Sequence, residues 1–179
     1  MLVLVVGPSG AGKDALLSGA RQAFAGDPRI HFARRVITRP VDAGGEDHEP
    51  VSEAEFAARH FALSWSAHGL RYGIAADVID AAPVVVANVS RGVIEDAARR
   101  HVVRVIEVTA PAAVLAARLA ARGRETAEDI ARRLNRSMSI PSEVASTTVI
   151  NDGTLQQGID RFVAALRAIL AAADLDVPV

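Results

Sequence analysis

Cysteine is absent from the chain, which excludes a disulfide framework and thiol chemistry. Aromatic residues are scarce as well, at 4% of the 179 residues, although half of the chain is hydrophobic. We therefore expect a core that is aliphatic and rich in alanine. A chain of this length is sufficient to enclose one such core, so we predict a single domain over residues 1–179.

The chain also lacks an excess of either charge. Its 20 basic and 21 acidic residues leave a net charge of −1, and so no overall basic field for nucleic acid. The apolar runs are too short to span a bilayer, and no signal-peptide pattern precedes the first of them. We expect a cytoplasmic protein with no nucleic-acid or membrane partner.

A glycine-rich segment near the start matches the phosphate-binding P-loop pattern: Gly7-Pro8-Ser9-Gly10-Ala11-Gly12-Lys13. The apolar residues 2–6 before it predict a buried parallel strand, and residues 14–24 after it predict an amphipathic helix. Glycines let the loop turn its N–H groups inward, the helix start adds positive potential, and the lysine reaches the outer phosphates. A chance glycine-rich turn rarely lies between a strand and a helix. The segment therefore predicts a nucleoside triphosphate site.

Asp14 stands where a serine or threonine usually follows the P-loop lysine. The usual hydroxyl coordinates Mg²⁺, and a carboxylate is also an oxygen ligand that suits this ion. Asp14 either takes over the metal, directly or through a water, or is an acidic residue favoured in the first turn of a helix. We expect Mg²⁺ as the cofactor, with Asp14 as its protein ligand.

Strand and helix patterns alternate along most of the chain. Besides residues 2–6, the patterns predict strands at 32–38, 83–87, 102–108 and 147–150, and helices at 91–100, 112–122, 127–138 and 154–172. This alternation is typical of an α/β fold, here with five parallel strands and helices on both faces. Residues 38–76 are polar, turn-rich and poorly periodic, so we interpret them as an insertion over the carboxyl edge of the sheet.

Two groups of motifs outside the P-loop resemble guanylate kinases. One group contains Thr38-Arg39-Pro40, Glu46-Asp47 and Tyr72-Gly73, and the other runs from Arg118 to Thr126 and continues to Arg133-Leu134. The resemblance implies a P-loop NTPase of the nucleoside-monophosphate-kinase type. Its core would be residues 1–37 and 77–179, its acceptor-binding insertion about 38–76, and its lid about 122–128.

Several positions depart from guanylate kinases. Where guanylate kinases have the glutamate and serine that read guanine, this sequence has Leu63 and Ile74. Where they have a phosphate-binding arginine and a tyrosine that holds the acceptor phosphate, it has Asp42 and His48. Apolar side chains would leave the hydrogen-bonding groups of guanine unpaired. We therefore expect an acceptor other than GMP.

A closer resemblance is to ribose 1,5-bisphosphate phosphokinases, a branch of the same group. It rests on the P-loop with its aspartate and on four further segments: residues 34–40, 44–49, 67–74 and 88–91. The resemblance implies transfer of the γ-phosphoryl of ATP to ribose 1,5-bisphosphate, giving 5-phosphoribosyl 1-diphosphate in phosphonate breakdown or as a bypass. The stretch between Phe56 and Trp65 is a few residues short of the pattern.

The resemblance also implies site residues. ATP-binding residues would be Gly7, Pro8, Ser9, Gly10, Ala11, Gly12, Lys13, Asp14 and Asn151. Catalytic residues would be Lys13, Arg118, Arg122 and Arg133, and acceptor-binding residues would be Arg35, Arg39, Tyr72, Arg71 and His48. For the arginines a solvated surface role stays open, and for Asn151 a structural role beside a helix cap. An acceptor phosphate is already ionised, so no general base is required, and the five histidines form no triad spacing.

Two other functions stay open at this point. One is another nucleoside-monophosphate kinase, and the other is a non-catalytic guanylate-kinase-like module that binds a protein. The retained lysine and lid arginines disfavour the module. Whether the chain is a monomer or a homodimer, and whether it prefers ATP or GTP, does not follow from the sequence.

Overall fold

A computed structural model describes residues 1–40, 47–121 and 139–175. The strands are β1 (Leu2–Val6), β2 (Ile30–Phe32), β3 (Arg35–Ile37), β4 (His48–Pro50), β5 (Phe61–Ala67), β6 (Leu70–Ala75), β7 (Val84–Asn88), β8 (Val103–Thr109) and β9 (Ser146–Ile150). The helices are α1 (Lys13–Ala23), α2 (Glu53–Ala57), α3 (Ile94–Arg100), α4 (Ala112–Ala121) and α5 (Leu155–Leu175). Short 3₁₀ turns cover Ala76–Val78 and Arg91–Val93.

Five strands form a parallel sheet in the order β2-β7-β1-β8-β9, which confirms the predicted sheet. Every residue of β1 and β7 is buried, because these strands are covered on both faces. Side chains alternate along β1: Val3 and Val5 join a core that includes residues of α1 and α5, whereas Leu2, Leu4 and Val6 join a second core on the other face.

A second sheet of four strands, in the order β4-β3-β6-β5, lies in the region that we predicted to be irregular. The single strand predicted over residues 32–38 is wrong, because the chain leaves the first sheet after β2 and enters the second at β3. The second sheet thus begins before the insertion predicted from about residue 38. Strands β3 and β4 of this sheet have only three residues each, as does β2 of the first sheet, and three residues are too few for a periodic pattern.

The helices at the end of the chain follow the predictions closely. The last helix, predicted over 154–172, is α5, and the helix predicted over 112–122 is α4 up to Ala121. The predicted stretch 91–100 begins as a 3₁₀ turn and continues as α3. The predicted helix at 127–138 and the predicted lid at 122–128 lie outside the described residues. Within the described ranges, no helix combines the length and the apolar character that crossing a membrane requires.

Candidate active site

The P-loop connects the end of β1 to the start of α1, and two of its glycines are required by geometry. Gly12, just before α1, has a φ of 91°, a left-handed conformation that other residues rarely adopt. Gly7 has a φ of 146°, and a Cβ there would lie 2.0 Å from the carbonyl oxygen of Val108. The loop can therefore follow this tight path only with glycine at both positions.

Side chains from three elements hold the carbonyl oxygens of the P-loop. The Lys13 ammonium donates to the carbonyls of Gly7 at 2.8 Å and Pro8 at 3.1 Å. Arg118 of α4 donates to the Gly10 carbonyl at 3.5 Å, and the Asn151 amide donates to the Ala11 carbonyl at 2.8 Å. The Ala11 N–H also donates within the loop, to the Pro8 carbonyl at 3.3 Å, so an anion would be bound by other N–H groups of the P-loop.

Asn151 is buried between the P-loop and the start of α5. Besides its contact with the loop, its backbone N–H donates to the Thr109 carbonyl at 2.7 Å. A Cβ on Gly12 or on Gly158 would lie about 2.5 Å from its side-chain amide (2.5 and 2.4 Å). This position supports the loop backbone, while direct contact with ATP stays a prediction. The next residue, Asp152, pairs with Arg161 at 2.6 Å, which lowers the pKa of that carboxyl.

Asp14 lies in the first turn of α1 with a half-exposed side chain. Its Oδ1 accepts from the Asn88 amide nitrogen at 2.8 Å and lies 3.6 Å from Nη2 of Arg35. Asn88 is not among the site residues that we predict from the sequence. A polar side chain at the carboxyl end of an otherwise apolar strand is the signal that points to it.

Arg35 begins β3 of the second sheet, and its side chain, only 16% exposed, reaches toward Asp14 beside the P-loop. Its guanidinium carbon is 5.7 Å from the centre of the Tyr72 ring. Burial lowers the pKa of Arg35, while Asp14 and Tyr72 raise it and the neighbouring Arg39 lowers it. Two arginines so close together favour an anion between or beside them.

His48 is buried beneath Arg39 rather than facing open space. Its Nε2 lies 3.1 Å from the Arg39 carbonyl oxygen, and its Nδ1 lies 3.5 Å from Nη2 of Arg39. The Arg39 Nε is also buried and has no hydrogen-bond partner among the described residues. His48 thus holds Arg39 in place, and direct contact of His48 with an acceptor stays a prediction.

Arg71 is not brought together with Arg35. It is the neighbour of Tyr72 in β6, so the two side chains point to opposite faces of the sheet. Its guanidinium carbon lies 4.4 Å from the centre of the Phe56 ring, and its Nη1 is 3.6 Å from a Glu53 carboxylate oxygen. The contacts of Arg71 are therefore with α2, on the far side of the sheet from the P-loop.

The positions aligned with guanine-reading residues are part of the core. Leu63 of β5 pairs with Ile74 of β6, and both side chains are fully buried against residues of β1 and β7. Beside them, the ring of Trp65 is stacked on that of Tyr72, with centroids 5.4 Å apart and planes at 7°. Polar groups that could read a base are replaced here by close apolar packing.

Besides Arg71, four of the predicted cationic site residues are described by the structure, and two are not. Lys13, Arg35, Arg39 and Arg118 supply positive charge around the P-loop and the second sheet, whereas Arg122 and Arg133 lie outside the described residues. Within the described ranges, no group of three or more histidines and carboxylates could hold a metal ion. Mg²⁺ in nucleotide sites is usually held by one or two carboxylates and the phosphates, so the carboxylate of Asp14 fits such a site.

Comparisons with known structures show the fold. The guanylate kinase from Anaplasma phagocytophilum matches with a TM-score of 0.63 and 19% identity, over 95% of this chain and 85% of that one. A gluconokinase from Sinorhizobium meliloti 1021 matches with a TM-score of 0.55 and 15% identity, over 98% of this chain and 97% of that one. The fold is therefore the α/β fold of a guanylate-kinase-like P-loop NTPase.

Sequence comparisons give a narrower result, although no protein-family model matches the chain. The chain is 57% identical to the ribose 1,5-bisphosphate phosphokinase PhnN of Acidiphilium cryptum, over 86% of this chain and 84% of that protein. The protein of that name from Rhizobium etli is 46% identical, over 96% of this chain and 91% of that protein. A bifunctional ribose 1,5-bisphosphokinase-thymidine phosphorylase of Cupriavidus pinatubonensis is 52% identical over 92% of this chain, which spans 29% of its length. Similarity of this extent and degree shows that the chain belongs to the ribose 1,5-bisphosphate phosphokinase family.

Proposed function

We propose that this protein transfers the γ-phosphoryl group of ATP to the 1-phosphate of ribose 1,5-bisphosphate. An oxygen of the 1-phosphate forms a bond to the γ-phosphorus, and the bond from that phosphorus to the β,γ-bridging oxygen breaks. The products are ADP and 5-phosphoribosyl 1-diphosphate. ATP as the donor also leads us to propose a cytoplasmic location.

The observation that carries this proposal is the place of Arg35. It is 3.6 Å from Asp14 at the donor loop and 5.7 Å from the Tyr72 ring on the acceptor sheet, so it faces both sites. Together with the buried Nε of Arg39, it gives the acceptor side cationic donors that suit phosphate groups. A sugar that carries two phosphates and no base matches this set of groups.

The absence of polar side chains at positions 63 and 74 disfavours GMP as the acceptor. Leu63 and Ile74, which align with the guanine-reading residues, lie in the core, so a guanine would lose hydrogen bonds to water and gain none from these two side chains. Each unpaired polar group in such a place costs about 1–3 kcal/mol. Several groups of one base would therefore reduce GMP binding by orders of magnitude.

Catalysis by this chain rests on positioning and on charge. The acceptor oxygen is ionised at neutral pH and needs no base, so the residues must bring two phosphate-rich substrates together and balance their charge. We assign this role to Lys13 and Arg118 beside the P-loop, and to Arg122 and Arg133 by resemblance to the family. We also propose that residues 122–128 act as a lid that excludes water and limits hydrolysis of ATP.

We propose that Asp14 holds Mg²⁺ together with the ATP phosphates. Its half-exposed carboxylate follows the P-loop lysine directly, and one or two carboxylates plus phosphates are the usual ligands of this ion. When bound, Mg²⁺ neutralises charge on the β- and γ-phosphates.

The acceptor-binding insertion would be the region of the second sheet, about residues 38–76 preceded by β3.

The test is a phosphoryl-transfer assay with ATP and Mg²⁺, followed by ³¹P NMR. Ribose 1,5-bisphosphate and GMP are offered separately, and a sample without acceptor measures hydrolysis. We expect a new diphosphate signal with the ribose compound and none with GMP. Transfer to GMP alone would contradict the proposal and show that guanine is held by groups other than those at Leu63 and Ile74.

A further inference from the structure

Asn88 occupies a place beside the P-loop that the proposed function does not use. It is the last residue of β7, pairs with Val5 of β1, and is only 7% exposed. Its side-chain nitrogen donates to Oδ1 of Asp14 at 2.8 Å, although 74 positions separate the two residues in the chain. The parallel pairing of β1 and β7 brings the carboxyl ends of both strands to the same edge, and so brings these side chains together.

The orientation of the Asn88 amide follows from this contact. Only the nitrogen of the amide can donate to a carboxylate, so the amide oxygen must be the other atom. That oxygen is buried and has no hydrogen-bond partner among the described residues. A buried acceptor without a partner is unfavourable, so the site is suited to a ligand that brings a hydrogen-bond donor.

Asp14 and Asn88 place the acidic and the neutral side chain at opposite positions from the usual P-loop arrangement. P-loop NTPases generally hold Mg²⁺ with a hydroxyl after the lysine and an aspartate on a neighbouring strand. Here the carboxylate follows the lysine, and the residue on the neighbouring strand is a neutral amide. The amide of Asn88 can donate a hydrogen bond to the Asp14 carboxylate, as it does at 2.8 Å, whereas an ionised carboxylate at position 88 would have no hydrogen to donate.

We propose that Asp14 and Asn88 form one magnesium-holding pair with exchanged roles. Asp14 supplies the carboxylate, and Asn88 is a positioning residue: its nitrogen fixes Oδ1 of Asp14, and its oxygen accepts from a water of the ion. Arg35 approaches the same Oδ1, so Oδ2 is the oxygen that we assign to the metal. This inference rests on the proposed function in one respect, namely that Mg²⁺ enters the site with ATP.

The test measures metal binding without turnover. Mn²⁺ is titrated, with detection by electron paramagnetic resonance, into the protein loaded with a non-hydrolysable ATP analogue. For Asn88→Leu we expect Mn²⁺ affinity to fall about 10–100-fold, as for other partners of metal ligands. Affinity for the analogue in the presence of EDTA should stay at the wild-type value. Ser90→Ala is the matched control, because among the described residues the Ser90 hydroxyl has a local partner, the Gly92 N–H, from which it accepts at 3.4 Å.

A pair of further variants separates positioning from a general effect on folding. Asp14→Ser should weaken Mn²⁺ binding, and Asp14→Ser combined with Asn88→Asp should restore it by rebuilding the usual arrangement. The inference is overturned if Asn88→Leu binds Mn²⁺ like the wild type, or if the double variant binds no more tightly than Asp14→Ser. Transfer to ribose 1,5-bisphosphate by the wild type is measured in parallel: its absence rejects the proposed function and leaves the metal result standing.

Discussion

Lys13 shows how a single residue serves both the loop and its ligand. Its ammonium donates to the carbonyls of Gly7 and Pro8, at 2.8 and 3.1 Å. These contacts hold the Lys13 side chain against the backbone of the loop. We expect a triphosphate to compete for the same ammonium, because its charged oxygens form stronger hydrogen bonds than neutral carbonyls do.

Replacing Lys13 by methionine should therefore impair chemistry far more than folding. We expect kcat for phosphoryl transfer to fall by about 10²–10³, the typical cost of removing one preorganised donor. The free energy of unfolding, measured in urea, should fall by about 1–2 kcal/mol, since two part-buried hydrogen bonds from the ammonium are lost while the packing is kept. Arg167→Met, on the exposed side of α5, is the control and should leave both quantities unchanged. Near-normal turnover of Lys13→Met would contradict the role of the P-loop.

At the scale of elements, the packing of α5 against α1 holds in place the helix that follows the P-loop. Gly19 lies in the middle of α1, where it faces Ile159 of α5. A Cβ on Gly19 would lie 2.4 Å from Cδ1 and 2.6 Å from Cγ1 of that isoleucine. The two helices can approach this closely because position 19 has no side chain.

Gly19→Ala should consequently destabilise the protein, although alanine is the better helix former. The gain in helix propensity is about 1 kcal/mol, whereas overpacking costs about 1–3 kcal/mol, so we expect a net loss of about 1 kcal/mol. Urea unfolding measures the change, and Gly92→Ala is the control, because a Cβ there would meet the Ser90 Oγ at 3.8 Å, an ordinary contact distance. Shortening the facing side chain in Gly19→Ala/Ile159→Ala should cost less than the two single substitutions added together. A fully additive double variant would contradict a steric contact at this crossing.

At the scale of the whole molecule, Arg35 links the two halves of the site. It belongs to β3 of the second sheet and reaches Asp14 at the start of α1. We expect a metal–nucleotide complex at Asp14 to weaken the attraction between Asp14 and Arg35. The Arg35 guanidinium would then bind an acceptor phosphate more strongly, and the binding of the two substrates would be coupled.

This coupling predicts that a magnesium–nucleotide complex strengthens acceptor binding by at least about fivefold. Trp65 is the only tryptophan and is stacked on Tyr72, so its fluorescence can report titration with ribose 1,5-bisphosphate. The titration is performed with and without a non-hydrolysable ATP analogue and Mg²⁺. Arg35→Met should lose both acceptor affinity and coupling. Arg34→Met is the matched control, since Arg34 is half-exposed and pairs with Asp47 at 2.8 Å. Equal acceptor affinity under both conditions would contradict the link.

The features predictable from the sequence are those encoded by contiguous residues. The P-loop is one uninterrupted segment, and strands such as β1 and β7 are continuous apolar runs because both faces of the sheet are covered. The second sheet was not predictable in the same way. Three-residue strands such as β3 and β4 carry no periodic signal, and their pairing is decided by contacts with β6 and with each other.

The sequence by itself thus determined the fold class, the nucleotide loop and the family, since each rests on local patterns or on similarity along the chain. Tertiary structure alone decided which side chains meet. Asn88 reaches Asp14 because the parallel strands β1 and β7 end at the same edge of the sheet. Arg71 faces away from Arg35 because Arg35 contacts Tyr72, and Arg71 and Tyr72 are neighbours in β6 whose side chains point to opposite faces. Such contacts depend on the order of the strands and on the direction of the side chains, and neither can be predicted from the spacing of residues along one segment.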